Sequence, residues 1–124
     1  MKSFKPTHRG FAPKINFKSS GAQTLRLIPI GGVGDVTKNM YVYEYGNDII
    51  IVDCGVSFPD EGMPGVDLVV PDISYLRDKK EKIRAIIITH GHDDHIGALP
   101  FLWPELQVPI YTQIPPEQIK EILF

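Results

Sequence analysis

The sequence predicts a mixed α/β (α+β) fold, and three observations carry that reading. Short runs of β-branched and aromatic residues, such as "MYVYEY" (40–45) and "IIIVDCG" (49–55), interleave with segments that begin like helices. Glycine and proline separate them, in "GGVGD" (31–35), "GND" (46–48) and the loop 56–71 with Pro59, Gly62, Pro64, Gly65 and Pro71. Strands that lead repeatedly into helices require a sheet with at least one face buried under helices. A length of 124 residues allows one domain at most, or a piece of a larger one.

Taken in order, residues 1–20 lack hydrophobic periodicity, contain Pro6, Gly10 and Pro13, and read as a mobile arm ahead of a domain spanning 21–124. "TLRLIPI" (24–30) is a predicted strand, and residues 40–53 are a predicted β-hairpin turning at "GND". "DISYLRDKK" (72–80) suggests a short helix with Asp72 as its N-cap. "KIRAIIIT" (82–89) is a strand, "IGALPFLW" (96–103) the start of a helix, "VPIYT" (108–112) a strand, and "PPEQIKEILF" (115–124) a helix with proline in its first turn. The cluster "GGVG" offers neither G-x-G-x-x-G nor G-K-[ST], which argues against a nucleotide cradle and for a sharp turn between strands, near a ligand.

Composition excludes several classes. The longest apolar runs, "IIIV" (49–52) and "AIII" (85–88), are far too short to span a bilayer, so no membrane role is expected. Cys54 alone cannot form an internal disulfide, which fits a reducing cytoplasm. Charge is unevenly placed: Lys2, Lys5, Arg9, Lys14, Lys18 and Arg26 precede the first acid, Asp35, after which all 15 acids face the remaining 7 bases. In the basic leader Phe4, Phe11 and Phe17 alternate with the cations, a combination that suits nucleic acid, although composition alone favours a solvated leader without a specific role.

The segment "IIITHGHDDHIGALP" (86–100) concentrates three of the four histidines. His90 and His92 follow the carboxyl end of a predicted strand, where an i, i+2 pair in extended backbone points to one side and converges on one cation. The chain then turns into a helix near Asp94, which directs Asp94 and His95 to a neighbouring point, while Gly91 and Gly97 leave room for a tight turn and close packing. Imidazole and carboxylate ligands without a thiolate set fit catalytic zinc, with manganese as a substitute, and two adjacent ions would activate a water as hydroxide. Nucleophilic catalysis by Cys54 has no evident partner base.

This motif resembles the signature of the metallo-β-lactamase fold superfamily. "LRLIPIGGVGDVTKNMYVYEYGNDIIIVDCGVSFPDEGMPGVDLVVPDISYL" followed by "ITHGHDDHIGALPFL" is similar in order and spacing to the amino-terminal part of the ribonuclease J family, among the β-CASP nucleases, over roughly residues 24–111. The resemblance implies the amino-terminal half of an αββα sandwich, with RNA as substrate and partner, and both endonucleolytic and 5′-to-3′ exonucleolytic cleavage. It implies that His90 and His92 hold a first zinc, that Asp94 (also the candidate catalytic residue) and His95 hold a second, and that Asp53 supports them from behind. It also implies that Asp67 is a candidate for a structural calcium loop, and that Gly31, Gly32 and Asn39 are candidates for lying near the substrate path.

It also implies further ligands, the β-CASP insertion and homo-oligomer contacts beyond residue 124, so the chain is expected to be an incomplete domain with both metal sites under-coordinated and an apolar sheet face uncovered. Two rival readings remain. One is another hydrolase of the same fold, acting on a thioester, lactone or lactam; the other is an inactive fragment that binds RNA or protein.

Overall fold

The computed structural model describes residues 2–4 and 23–124 of the chain. Six strands, β1 (Lys2–Phe4), β2 (Leu25–Gly31), β3 (Met40–Tyr45), β4 (Asp48–Val52), β5 (Ile83–Ile88) and β6 (Ile110–Thr112), form one sheet in the order β1-β6-β5-β4-β3-β2. β2, β3 and β4 are antiparallel, with Gly46 and Asn47 turning the hairpin between the last two and Gly46 at φ +58°. β4, β5 and β6 run parallel, so their carboxyl ends lie together at one end of the sheet. The predicted strands and hairpin are all present. Lys2–Phe4, within the segment expected to be a mobile arm, instead pair antiparallel with β6, whose outer edge otherwise offers unpaired main-chain groups. The rest of that arm, residues 5–22, lies outside the described residues.

The described residues also form four helices: α1 (Ser74–Arg77), α2 (Asp93–Ile96), α3 (Leu99–Leu106) and α4 (Pro116–Leu123). The helix expected over 72–80 is only α1, followed by a 3-10 turn at Lys80–Lys82. In α1 only Leu76 is buried, and the run Lys79–Lys82 has no apolar residue to hold a longer helix against the sheet. Asp72 stands one residue too early to be the N-cap; its Oδ1 accepts the Ser74 N–H at 2.8 Å and so shapes the turn into the helix. The helix expected from residue 96 starts earlier, as α2, and resumes as α3 with Pro100 in its first turn.

Alternation along the strands decides which face the helices cover. Met40, Val42, Ile49, Ile51, Ile86, Ile88 and Ile110 are buried in one cluster with Leu76, Ile96, Leu99, Leu102, Leu106 and Ile119 of the helices. The intervening residues face the other way: Leu25 opposes Tyr45, Leu27 opposes Tyr43, and these four are 36–62% exposed. One apolar face is therefore covered by helices, and the other is open along β2 and β3.

Among the described strand residues one acid, Glu44, is buried on the covered face. It accepts the Tyr75 hydroxyl, and this bond, helped by the cations Lys79, Arg26 and Lys82, holds its carboxyl below the ordinary 4.5 despite desolvation. A depressed folded-state value means that ionised Glu44 stabilises the fold fully above pH 4.5, and that this contribution is lost as pH falls through the lower value. Tyr75→Phe is therefore expected to cost about 1.5 kcal/mol at pH 7. The gap to wild type should close on acidification, as read from urea midpoints between about pH 7 and pH 3.

Candidate metal centre

The parallel strands β4 and β5 end side by side, and the residue after each carries the site. Asp53 follows β4, with its N–H still on the Ile87 carbonyl at 2.8 Å, and then leaves the sheet at φ +64°. That left-handed conformation is one that aspartate tolerates better than most residues. It sends the chain through Cys54–Gly55–Val56, which is stitched to α2 by main-chain bonds: Cys54 N to His95 O (2.7 Å), Val56 N to Asp93 O (3.0 Å) and Ala98 N to Cys54 O (2.9 Å). Gly55 makes this approach feasible, because a Cβ there would sit 1.7 Å from the Asp94 carbonyl oxygen. Gly97 is similarly confined, 2.7 Å from both the Asp93 oxygen and the Val56 side chain, whereas Gly91 would meet only Ile114 at 3.4 Å. Of the two glycines expected to provide room, only Gly97 is needed for it.

The imidazoles converge. The His90 ring centroid lies 4.7 Å from that of His92 and 4.0 Å from that of His95. His95 Nδ1 is 2.8 Å from Asp53 Oδ2, a carboxylate that is buried and also receives the Thr89 N–H at 2.8 Å. With its Nδ1 proton given to Asp53, His95 presents Nε2 as an acceptor, 3.3 Å from another acceptor, Asp94 Oδ2. Two acceptors at that separation need a proton or a cation between them: a protonated His95 would donate its Nε2–H to Asp94, and ligand atoms ~2.0–2.1 Å from a tetrahedral zinc likewise stand roughly 3.3 Å apart. The Asn39 amide does not fill this role: its nitrogen is 2.9 Å from the Val36 carbonyl and 3.1 Å from that of Asp94, and only 3.4–3.5 Å from the two acceptors.

The donor chemistry therefore fits a divalent cation held by nitrogen and oxygen. Cys54 contributes no thiolate, because burial, with Asp53 beside it, pushes its thiol up to about 12. Among the described residues no group of three or more histidine, cysteine or acidic side chains closes into a cation cage.

The structure thus brings together His90, His92, Asp94, His95 and Asp53. Asn39 is buried behind them, its main chain and side chain both on the Asp94 carbonyl and its carbonyl accepting the Gly55 N–H at 3.0 Å. Gly31 and Gly32 form the turn over it; a Cβ on Gly32 (φ +85°) would lie 2.5 Å from Asn39 Oδ1. Asp67 is exposed on the 56–71 loop, apart from this bonded set. Sequence reasoning missed Thr89, whose hydroxyl lies 2.9–3.0 Å from both Asp53 oxygens and 3.0 Å from His90 Nδ1. A hydroxyl residue directly before the first histidine is the signal that was there to find.

Replacing Gly55 by alanine should displace α2 and lower stability by about 2–3 kcal/mol, read as a fall in the urea midpoint. Gly91→Ala, in open surroundings, should change the urea midpoint little. Equal effects of the two substitutions would contradict this account of the backbone contact.

Comparison with known proteins bears on the same residues. The profile of the Metallo-beta-lactamase superfamily matches residues 33–117. The chain is 49% identical over 98 residues to Ribonuclease J of Helicobacter pylori, covering 79% of this chain and 14% of that protein. It is 50% identical over 94 residues to Ribonuclease J of Sinorhizobium meliloti (73% and 17%) and 45% identical over 94 residues to Ribonuclease J2 of Bacillus subtilis (76% and 17%). The chain spans only 14–17% of the length of these relatives. The mixed sheet with its helices agrees with the αβ sandwich of the superfamily that the profile describes. On the profile match and these identities, the chain belongs to the metallo-beta-lactamase superfamily, as a homolog of the ribonuclease J family.

Proposed function

We propose that this chain carries the first metal-binding segment of an RNA phosphodiester hydrolase of the ribonuclease J type, cytoplasmic and homo-oligomeric in its complete form. The metal reading rests on one observation above the others: His95 Nε2 and Asp94 Oδ2 face each other at 3.3 Å, and the Asn39 amide nitrogen, 3.4–3.5 Å from both, is already committed to the Val36 and Asp94 carbonyls. The RNA reading rests on 45–50% identity to proteins named ribonuclease J. Two divalent ions, zinc by donor chemistry with manganese as a substitute, would supply an activated water and neutralise charge on the phosphoryl oxygens. His90 and His92 would hold one ion, Asp94 and His95 the other. Asp53 holds the His95 ring through Nδ1, which aims Nε2 outward. Asp94 in turn has its main chain held by Asn39 and by the close approach of Gly55, so its carboxylate projects from a fixed support. Gly31 and Gly32 give a turn that permits an RNA backbone to pass close by, and the exposed Asp67 loop is a candidate for calcium.

The absence of a closed three-ligand cage among the described residues favours a second reading, an inactive segment that binds RNA or protein. Metal analysis together with cleavage of 5′-monophosphorylated RNA separates the two. Zinc and cleavage in the wild type should both fall in His92→Ala, the affinity by more than the roughly 10–100-fold that losing an outer hydrogen-bond partner costs. Protein that takes up no zinc and cuts no RNA would leave only the binding reading.

The basic leader is assigned to guiding RNA. Changing Lys5, Arg9, Lys14 and Lys18 together to glutamine spares β1 and is expected to weaken RNA binding. It should also reduce the slope of log affinity against log salt by up to ~3, at about 0.7 per single-strand phosphate contact. An unchanged slope would refute the arm.

A further inference from the structure

The Thr89 hydroxyl has three polar neighbours and one proton. Its oxygen lies 3.0 Å from Asp53 Oδ1, 2.9 Å from Asp53 Oδ2 and 3.0 Å from His90 Nδ1. An ionised carboxylate can only accept, so the hydroxyl proton goes to Asp53 and the oxygen is left as the acceptor toward His90. His90 must then carry its proton on Nδ1. The opposite assignment would give the hydroxyl proton to His90 and leave the hydroxyl oxygen against two carboxylate oxygens at 2.9–3.0 Å with no proton between them. Asp53 is buried and cannot turn to water for a replacement donor.

We infer that Thr89 is a positioning residue that sets the tautomer of His90, so that one carboxylate orients two imidazoles, His95 directly and His90 through the threonine hydroxyl. Both rings then carry the proton on Nδ1 and turn the Nε2 lone pair outward, the state a metal ligand needs. The main-chain N–H of Thr89 is held by the same carboxylate at 2.8 Å, which ties the start of the histidine segment to the end of β4 and fixes where the hydroxyl stands. The use of this tautomer rests on the reading of His90 as a metal ligand; the tautomer itself does not.

The test is long-range proton–nitrogen NMR on the metal-free full chain labelled at histidine nitrogen, followed by zinc titration. Wild-type His90 should show a protonated Nδ1 and an unprotonated Nε2. Thr89→Val keeps the branched shape and the main-chain bond but has no hydroxyl; its His90 should shift toward the Nε2–H form, and zinc affinity should fall about 10–100-fold. Thr89→Ser restores the hydroxyl and should recover both within a few-fold. His95 should stay Nδ1–H in all three proteins, which reports that the fold and Asp53 are intact. A wild-type His90 protonated on Nε2 overturns the inference without any variant. So does a folded Thr89→Val with unchanged tautomer, or a Thr89→Ser that behaves like it. Wild-type protein that binds no zinc but shows the tautomer shift would sink the metal reading while leaving the role of Thr89 standing.

Discussion

A carboxylate buried at the end of a strand has to be surrounded by donors, and Asp53 organises everything near it for that reason. Its two oxygens take the main-chain N–H and hydroxyl of Thr89 and the Nδ1 proton of His95. These donors come from the end of β5 and from α2, so satisfying one buried charge joins the two elements that present the histidines. Removing the charge would leave three donors without a partner, and removing any donor would leave part of the charge uncompensated in a site of low dielectric. The positive φ of Asp53 belongs to the same arrangement, because it turns the chain out of the sheet and under α2.

The second requirement is backbone proximity. Segment 53–56 and α2 share main-chain hydrogen bonds at distances of 2.7–3.0 Å, which is feasible only with glycine at position 55. Asn39 extends this framework to the turn after β2, so three stretches far apart in sequence meet around the Asp94 carbonyl. The result is a rigid support beneath the imidazoles and the Asp94 carboxylate. Rigidity here comes from main-chain bonds and one buried charge, since the histidine segment itself is exposed at His90 and His92.

The sheet places this site where parallel strands end, as open α/β sheets commonly do. It also leaves Leu25, Leu27, Tyr43 and Tyr45 exposed on the face away from the helices. Among the described residues that face of the sheet carries no helical layer, in a chain that spans 14–17% of the length of its relatives. Buried Glu44 on the opposite face shows the cost of placing an acid among apolar neighbours: it needs the Tyr75 hydroxyl and nearby cations to remain charged.

Much of this was legible in the sequence because it depends on local chemistry. Side-chain alternation marked the strands, glycine marked the hairpin, and His90, His92, Asp94 and His95 stand close enough along the chain for their convergence to be read from spacing. Helix lengths were less legible: the helix over 72–80 shrank to Ser74–Arg77 because its polar second half had nothing to bury. By itself, then, the sequence determined the fold class and the local cluster of imidazoles and carboxylate, since residue type and short-range periodicity carry both. Only the tertiary structure decided that Gly55 touches the Asp94 carbonyl, that Asn39 braces it, and that Asp53 reaches Thr89 and His95. Those contacts join residues 36 to 55 positions apart, and which donors a buried carboxylate finds depends on how strands from distant segments come to lie side by side.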